Sequence, residues 1–241
     1  MGEAKDTYIS LGQATMSVEA KSITAAAQKL GSEFAQAVEL IAEMSNSGKK
    51  LIFCGIGKSG HIARKLSTTF MSAGISCIFL HASEAIHGDL GIYKPGDVTI
   101  LLSKSGSSEE IVRILPIIKG FQSKVIAILG RVESPIGESA DIILDASVEK
   151  EADSLNLLPT ASASVALALG DALASAVIQA KGFTSQEFAR YHPGGQLGRN
   201  LLLTVGDIMH KQNKIFHHQT LTKFFQFLFQ YNYLIVYYEF A

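Results

Sequence analysis

Five short runs rich in β-branched residues dominate the middle of the chain: Lys50–Cys54, Ser76–Leu80, Asp97–Ser103, Lys124–Leu129 and Asp141–Asp145. Their interiors are apolar at consecutive positions rather than at alternate ones. That pattern marks strands covered on both faces, which is the condition of a parallel sheet. Amphipathic stretches at 59–73, 107–120 and 134–139 separate the runs. The alternation predicts an α/β fold: a three-layer αβα sandwich around a five-stranded parallel sheet, joined by right-handed crossovers.

The flanks are helical. Over residues 8–44, apolar positions recur at three- and four-residue spacing through Ala26, Leu30, Phe34, Ala37, Val38 and Ile41. A long Ala/Leu/Val helix begins after Pro159, with Thr160 as N-cap, and stops at Gly182. A shorter helix near 184–190 leads to His192-Pro193-Gly194-Gly195. The 241 residues suit one ordinary α/β domain. We divide them into an N-terminal helical segment (1–49), a core domain (50–208) and a tail (209–241). The last thirty-one residues, 211–241, hold ten of the twenty aromatics and one acid, Glu239, with no Gly or Pro. Polar interruptions make this tail a poor membrane span. The polar N-terminus is no signal peptide, so a cytoplasmic protein without a membrane partner is expected. Cys54 and Cys77 sit in apolar runs and read as buried thiols.

Ligands of open parallel sheets bind beyond the carboxyl ends of the strands. The net charge is −1, so nucleic acid is not an expected partner, and any anion must be held by local groups. Four polar segments occupy strand ends. Gly55-Ile56-Gly57-Lys58-Ser59-Gly60-His61 offers glycine backbone and a helix N-terminus to an anion. It also spells G-x-G-x-x-G, but residues 61–83 contain no acid for a dinucleotide ribose, and Ile52 replaces the first glycine of a Walker loop. His81-Ala82-Ser83-Glu84-Ala85-Ile86-His87-Gly88-Asp89 matches no common zinc spacing. Ser103–Glu110 reads as a neutral phosphate cradle, or as a capping box of Ser107 and Glu110. Glu149-Lys150-Glu151 offers a carboxylate whose pKa burial would raise, a candidate base; its plainer reading is a solvated charge run. His192 is a loop histidine able to reach a neighbouring site or another subunit; its plainer reading is an exposed turn.

Taken together, Gly57-Lys58-Ser59-Gly60-His61, His87-Gly88-Asp89-Leu90-Gly91, Ser103-x-Ser105-Gly106, Gly170-Asp171-Ala172-Leu173, Lys150-Glu151-Ala152 and His192-Pro193-Gly194-Gly195-x-Leu197-Gly198-Arg199 resemble the SIS (sugar isomerase) domain, and within it the arabinose-5-phosphate isomerases. The likeness covers roughly residues 10–210. It implies a flavodoxin-like fold and interconversion of D-arabinose 5-phosphate and D-ribulose 5-phosphate, the first step toward the lipopolysaccharide sugar Kdo. It implies catalytic roles for Lys58, Glu110, Glu151 and His192, with substrate contacts at Gly57, Ser59, His81, His87, Ser103, Ser105 and Ser108. It further implies no required cofactor, an inhibitory zinc at His81, and a homotetramer. Two features depart from the pattern: Ser107 stands where many relatives carry Glu, and the tail does not look like the CBS domain pair that usually follows.

Isomerisation through an enediol needs a base at carbon, an oxyanion partner and a ring-opening group. Within the roles the resemblance implies, we assign these to Glu151, Lys58 and His192, with Glu110 positioning a hydroxyl or sharing the proton relay. The rival readings are an isomerase of another phosphosugar and a non-catalytic phosphosugar-binding regulator. Against the regulator, residues 1–49 are too short and too uniformly helical to hold a DNA-binding module convincingly.

Overall fold

The structure is a computed structural model and describes residues 2–195. Residues 209–241, the tail set apart by composition, lie outside the described residues. The strands are β1 (Leu51–Gly55), β2 (Cys77–His81), β3 (Val98–Ser103), β4 (Lys124–Leu129) and β5 (Ile142–Asp145). All pair in parallel, in the order β2-β1-β3-β4-β5. This is the expected three-layer α/β arrangement.

The consecutive apolar runs follow from the two layers they separate. Leu51, Phe53, Ile100, Leu102 and Ile128 face one cluster, which holds residues of α1 (Gly2–Gln28), α2 (Ser32–Asn46), α3 (Gly57–Ser72) and α7 (Ala161–Lys181). Ile52, Cys54, Leu101, Ala127 and Leu129 face the other, with α4 (Ala82–Ala85), α5 (Glu109–Gly120) and α6 (Pro135–Ser139). Successive strand side chains point to opposite faces, so neither face can be polar. Burial also pushes the free Cys54 thiol up to about 12.

Helix α7 is long and apolar enough to cross a membrane by length and composition. Its apolarity is that of a core helix, since Val165, Leu169, Leu173 and Val177 are buried against the sheet layer. Gly182 closes it in the left-handed conformation (φ 62°), as the sequence predicts.

The single helical segment expected over 8–44 is two helices. The chain breaks at Lys29–Gly31, and Gly31 takes extended backbone as the N-cap of α2. Lys29 Nζ reaches Asp145 Oδ2 (3.0 Å) and Ser147 Oγ (2.7 Å) beside the end of β5. Leu30, expected in the apolar stripe, is exposed because the break turns it outward.

Candidate active site

The order β2-β1-β3 contains the topological switch point: the chain leaves β1 toward one side and returns through β3 on the other. A crevice forms there at the carboxyl edge. A cleft of about 370 Å³, counting its open mouth, is lined by Lys58 and Ser59 after β1, Ser103 and Lys104 at β3, Gly130 after β4, and Ser162 of α7.

Each side of the cleft has a local cause. Gly55 and Gly60 let α3 start directly over the end of β1; a Cβ on Gly55 would come within 3.0 Å of Gly60 N. Gly57 sits at φ 56°, which favours glycine. The N-cap of α3, Ile56, supplies no side-chain acceptor, so the first N–H groups of the helix remain available to an anion. Lys58 is exposed and has no hydrogen bond or ion pair among the described residues.

On the β3 side, Ser103 is buried and its Oγ accepts from Gly106 N (3.0 Å) and lies 3.3 Å from Ser108 Oγ. Gly106 has φ 66°, and a Cβ there would meet Ser134 Oγ at 2.0 Å. The capping box expected of Ser107 and Glu110 does not form. Ser108 is the N-cap of α5, without a side-chain cap bond, and Ser107 N donates instead to Ser105 Oγ (3.2 Å). The neutral cradle therefore keeps an uncapped helix N-terminus. Of its serines, Ser103 lines the cleft, while Ser105 and Ser108 lie outside the lining. Glu110 is half-buried in the first turn of α5, outside the cleft lining and without a hydrogen-bond partner among the described residues.

Glu149 and Lys150 are exposed, as a charge run would be, but Glu151 is buried at 4% exposure. The sequence expectation that burial would raise its pKa is overturned. Burial does raise it, but donors outweigh that effect. Lys104 Nζ and Ser162 Oγ both lie 2.5 Å from Oε1. Thr160 N (2.9 Å) and Ser162 N (3.1 Å) donate to Oε2. Together they pull the carboxyl from 4.5 down to about 2. Thr160 is the N-cap of α7 as expected, but its hydroxyl caps nothing in the helix. The Glu151 carboxylate caps α7 from outside.

His81 ends β2 and is half-buried; its Nδ1 is buried with no hydrogen-bond partner. His87 is exposed after α4. Among the described residues no group of three or more His, Cys, Asp or Glu could hold a metal ion. Within the described residues, His81 Nδ1 stands as a ligand atom without a cluster around it.

His192 is remote from this cleft. It follows α8 (Ser185–Tyr191), stacks on Phe188 at 3.9 Å between centroids, and puts Nε2 3.1 Å from Ser72 Oγ. Ser72 is the last residue of α3, whose first turn carries Lys58. Sixteen residues of helix separate the two ends by about 24 Å. His192 thus lies at the amino edge of its own sheet.

Lys104, Ser162 and the Thr160 amide are site groups that sequence reasoning did not single out. Lys104 stands as the spacer of Ser103-x-Ser105, and its pairing partner is 47 residues away.

The family model for the SIS domain matches residues 43–176, the span that builds the sheet and the cleft. The chain belongs to the SIS domain family. It is 44% identical over 203 residues to the arabinose 5-phosphate isomerase KdsD of Pseudomonas aeruginosa, covering 84% of this chain and 61% of that one. With KdsD of Escherichia coli K12 it shares 44% over 206 residues, 86% and 62% of the two chains. This SIS chain thus spans about three fifths of the length of these curated relatives. A solved E. coli CFT073 protein in complex with arabinose 5-phosphate superimposes with a TM-score of 0.74 at 38% identity, covering 78% of this chain and 98% of that one.

Proposed function

We propose that this SIS chain is a cofactor-independent aldose–ketose isomerase that interconverts D-arabinose 5-phosphate and D-ribulose 5-phosphate through an enediol, the first step of Kdo synthesis for lipopolysaccharide. The observation that carries it is the cleft at the β1/β3 switch point, where an unpaired Lys58 ammonium, Ser103, Lys104 and the uncapped start of α3 converge. That is a setting for an anionic sugar. The names and identities of its relatives support the choice of sugar.

In this reading the serine loop takes the phosphate, with Ser103 inward and Ser105 and Ser108 shaping the loop. Gly57 and Ser59 bring α3 against the sugar. Lys58 stabilises the oxyanion that develops as the carbon loses its proton, an effect worth roughly 10²–10³-fold. His81, through its unpartnered Nδ1, and His87 contact sugar hydroxyls. The sequence assigns the carbon base to Glu151. The hydrogen-bond pattern favours Glu110 instead, because the Glu151 carboxylate is taken up by Lys104, Thr160 and Ser162 while Glu110 has no partner among the described residues. Ring opening falls to His192, which in a homotetramer is supplied by a neighbouring subunit. Exposed apolar residues of α1, including Tyr8 (71%) and Met16 (72%), favour such an assembly. The reading places the enzyme in the cytoplasm.

The test is to incubate pure protein with a panel of five- and six-carbon sugar phosphates and follow each by NMR. Interconversion of the two pentose phosphates is expected. Conversion of a hexose phosphate alone would replace the substrate and leave the class of reaction standing.

A further inference from the structure

The sequence left Lys104 as a spacer, yet its side chain is built into the cleft. Its ammonium is half exposed (50%) and sits 2.5 Å from Glu151 Oε1. Room for the stem comes from Gly130, where a Cβ would meet the Lys104 carbonyl at 2.7 Å and its Cγ at 3.3 Å. The carboxylate that holds the ammonium is itself immobile. It is buried, and its remaining acceptor sites are taken by Ser162 Oγ, Ser162 N and Thr160 N. Behind it, Glu151 N donates to Asn156 Oδ1 (2.7 Å) and Ala152 N to Thr160 Oγ1 (2.8 Å). A carboxylate so fully donated to has no lone pair turned toward a substrate. What it presents to the cleft is the lysine.

We propose that Lys104 is the cation that binds the substrate phosphate and that Glu151 is the residue that positions it. The proposal rests on the isomerase reading for its substrate. Two lysines line the cleft. Lys58, on the β1 side, is free to serve the oxyanion. Lys104 belongs to the same loop as Ser103, at the start of α5, where the phosphate is expected. The chain has no net positive charge to attract a phosphate, so a local ammonium supplies what the neutral loop lacks. In the free protein the ammonium rests on Glu151; a phosphate dianion competes for it at short range. Glu151 acts through Lys104 and is a positioning residue, not the carbon base.

The experiment compares Lys104→Met, Glu151→Gln and the double variant with wild type, each confirmed folded by circular dichroism and of unchanged size in solution. Binding of arabinose 5-phosphate, of inorganic phosphate and of unphosphorylated arabinose is measured by calorimetry, and KM and kcat are read separately. Lys104→Met should weaken both phosphate-bearing ligands by roughly 10- to 100-fold, the scale of one charged hydrogen bond, and leave arabinose unaffected. KM should rise with kcat less changed. Lys104→Arg should recover part of the loss. Adding Glu151→Gln to Lys104→Met should cost no further binding. Wild-type affinity for arabinose 5-phosphate in Lys104→Met overturns the phosphate role. An equal loss from Glu151→Gln with and without Lys104 overturns the positioning role. Protein that binds the phosphosugar but interconverts nothing defeats the isomerase reading and leaves both arms of this test intact.

Discussion

His192 Nε2 lies 3.1 Å from the Ser72 hydroxyl, at the end of α3 away from Lys58. A histidine a helix length from the cleft cannot open a sugar ring there. If it takes part in the reaction, it does so in the cleft of another subunit. Lys58→Met and His192→Asn should each be nearly inactive, and refolding the two together should restore activity that neither has alone. Full kcat in His192→Asn would reduce the residue to its packing on Phe188 and Ser72.

The Glu151 carboxylate should make the fold acid-sensitive. Its pKa falls from 4.5 to about 2 in the folded chain, so the folded state prefers the ionised form. The stability this contributes is fully present above about pH 4.5 and is lost as pH falls through about 2. Between those limits wild type should lose more stability than Glu151→Gln, whose amide does not titrate. Parallel acid-unfolding curves for the two would place the donors of residues 160 and 162 elsewhere.

Gly106 pins the serine loop against the segment after β4. Gly106→Ala places a Cβ 2.0 Å from Ser134 Oγ at a positive φ. It should cost about 1–3 kcal/mol of stability and raise KM by displacing Ser103. Chemical denaturation and initial rates read the two effects separately.

Within that loop the serines should not be equivalent. Ser103 is buried and lines the cleft, whereas Ser105 is exposed with its Oγ accepting from Ser107 N. Ser103→Ala should raise KM for the phosphosugar more than Ser105→Ala does. The reverse order would move the phosphate toward the outer face of the loop.

The strands were legible to within a residue because doubly covered strands are apolar at every position, a signal that needs no knowledge of what covers them. The break at Lys29–Gly31 was harder to read. Apolar spacing continues across it through Leu30 and Phe34, and the Lys29–Asp145 contact that accompanies the turn joins residues 116 apart. The four strand-end segments were legible for the same reason as the strands. The electrostatics of Glu151 were not, since a sequence announces burial more readily than donors. Its pKa is decided by Lys104, Thr160 and Ser162, which only the fold brings together. Nor could a loop histidine after a helix declare which edge of the sheet it would occupy.

The central claim is that this cleft moves a proton between adjacent carbons of a pentose phosphate with no added cofactor. The most direct measurement is NMR of arabinose 5-phosphate incubated with the protein in deuterated water. The account predicts ribulose 5-phosphate carrying deuterium at C1, where the proton is delivered from a base that exchanges with solvent, and loss of that exchange in Lys58→Met. Turnover that requires a nicotinamide, or an unchanged sugar phosphate with no exchange at carbon, would contradict it.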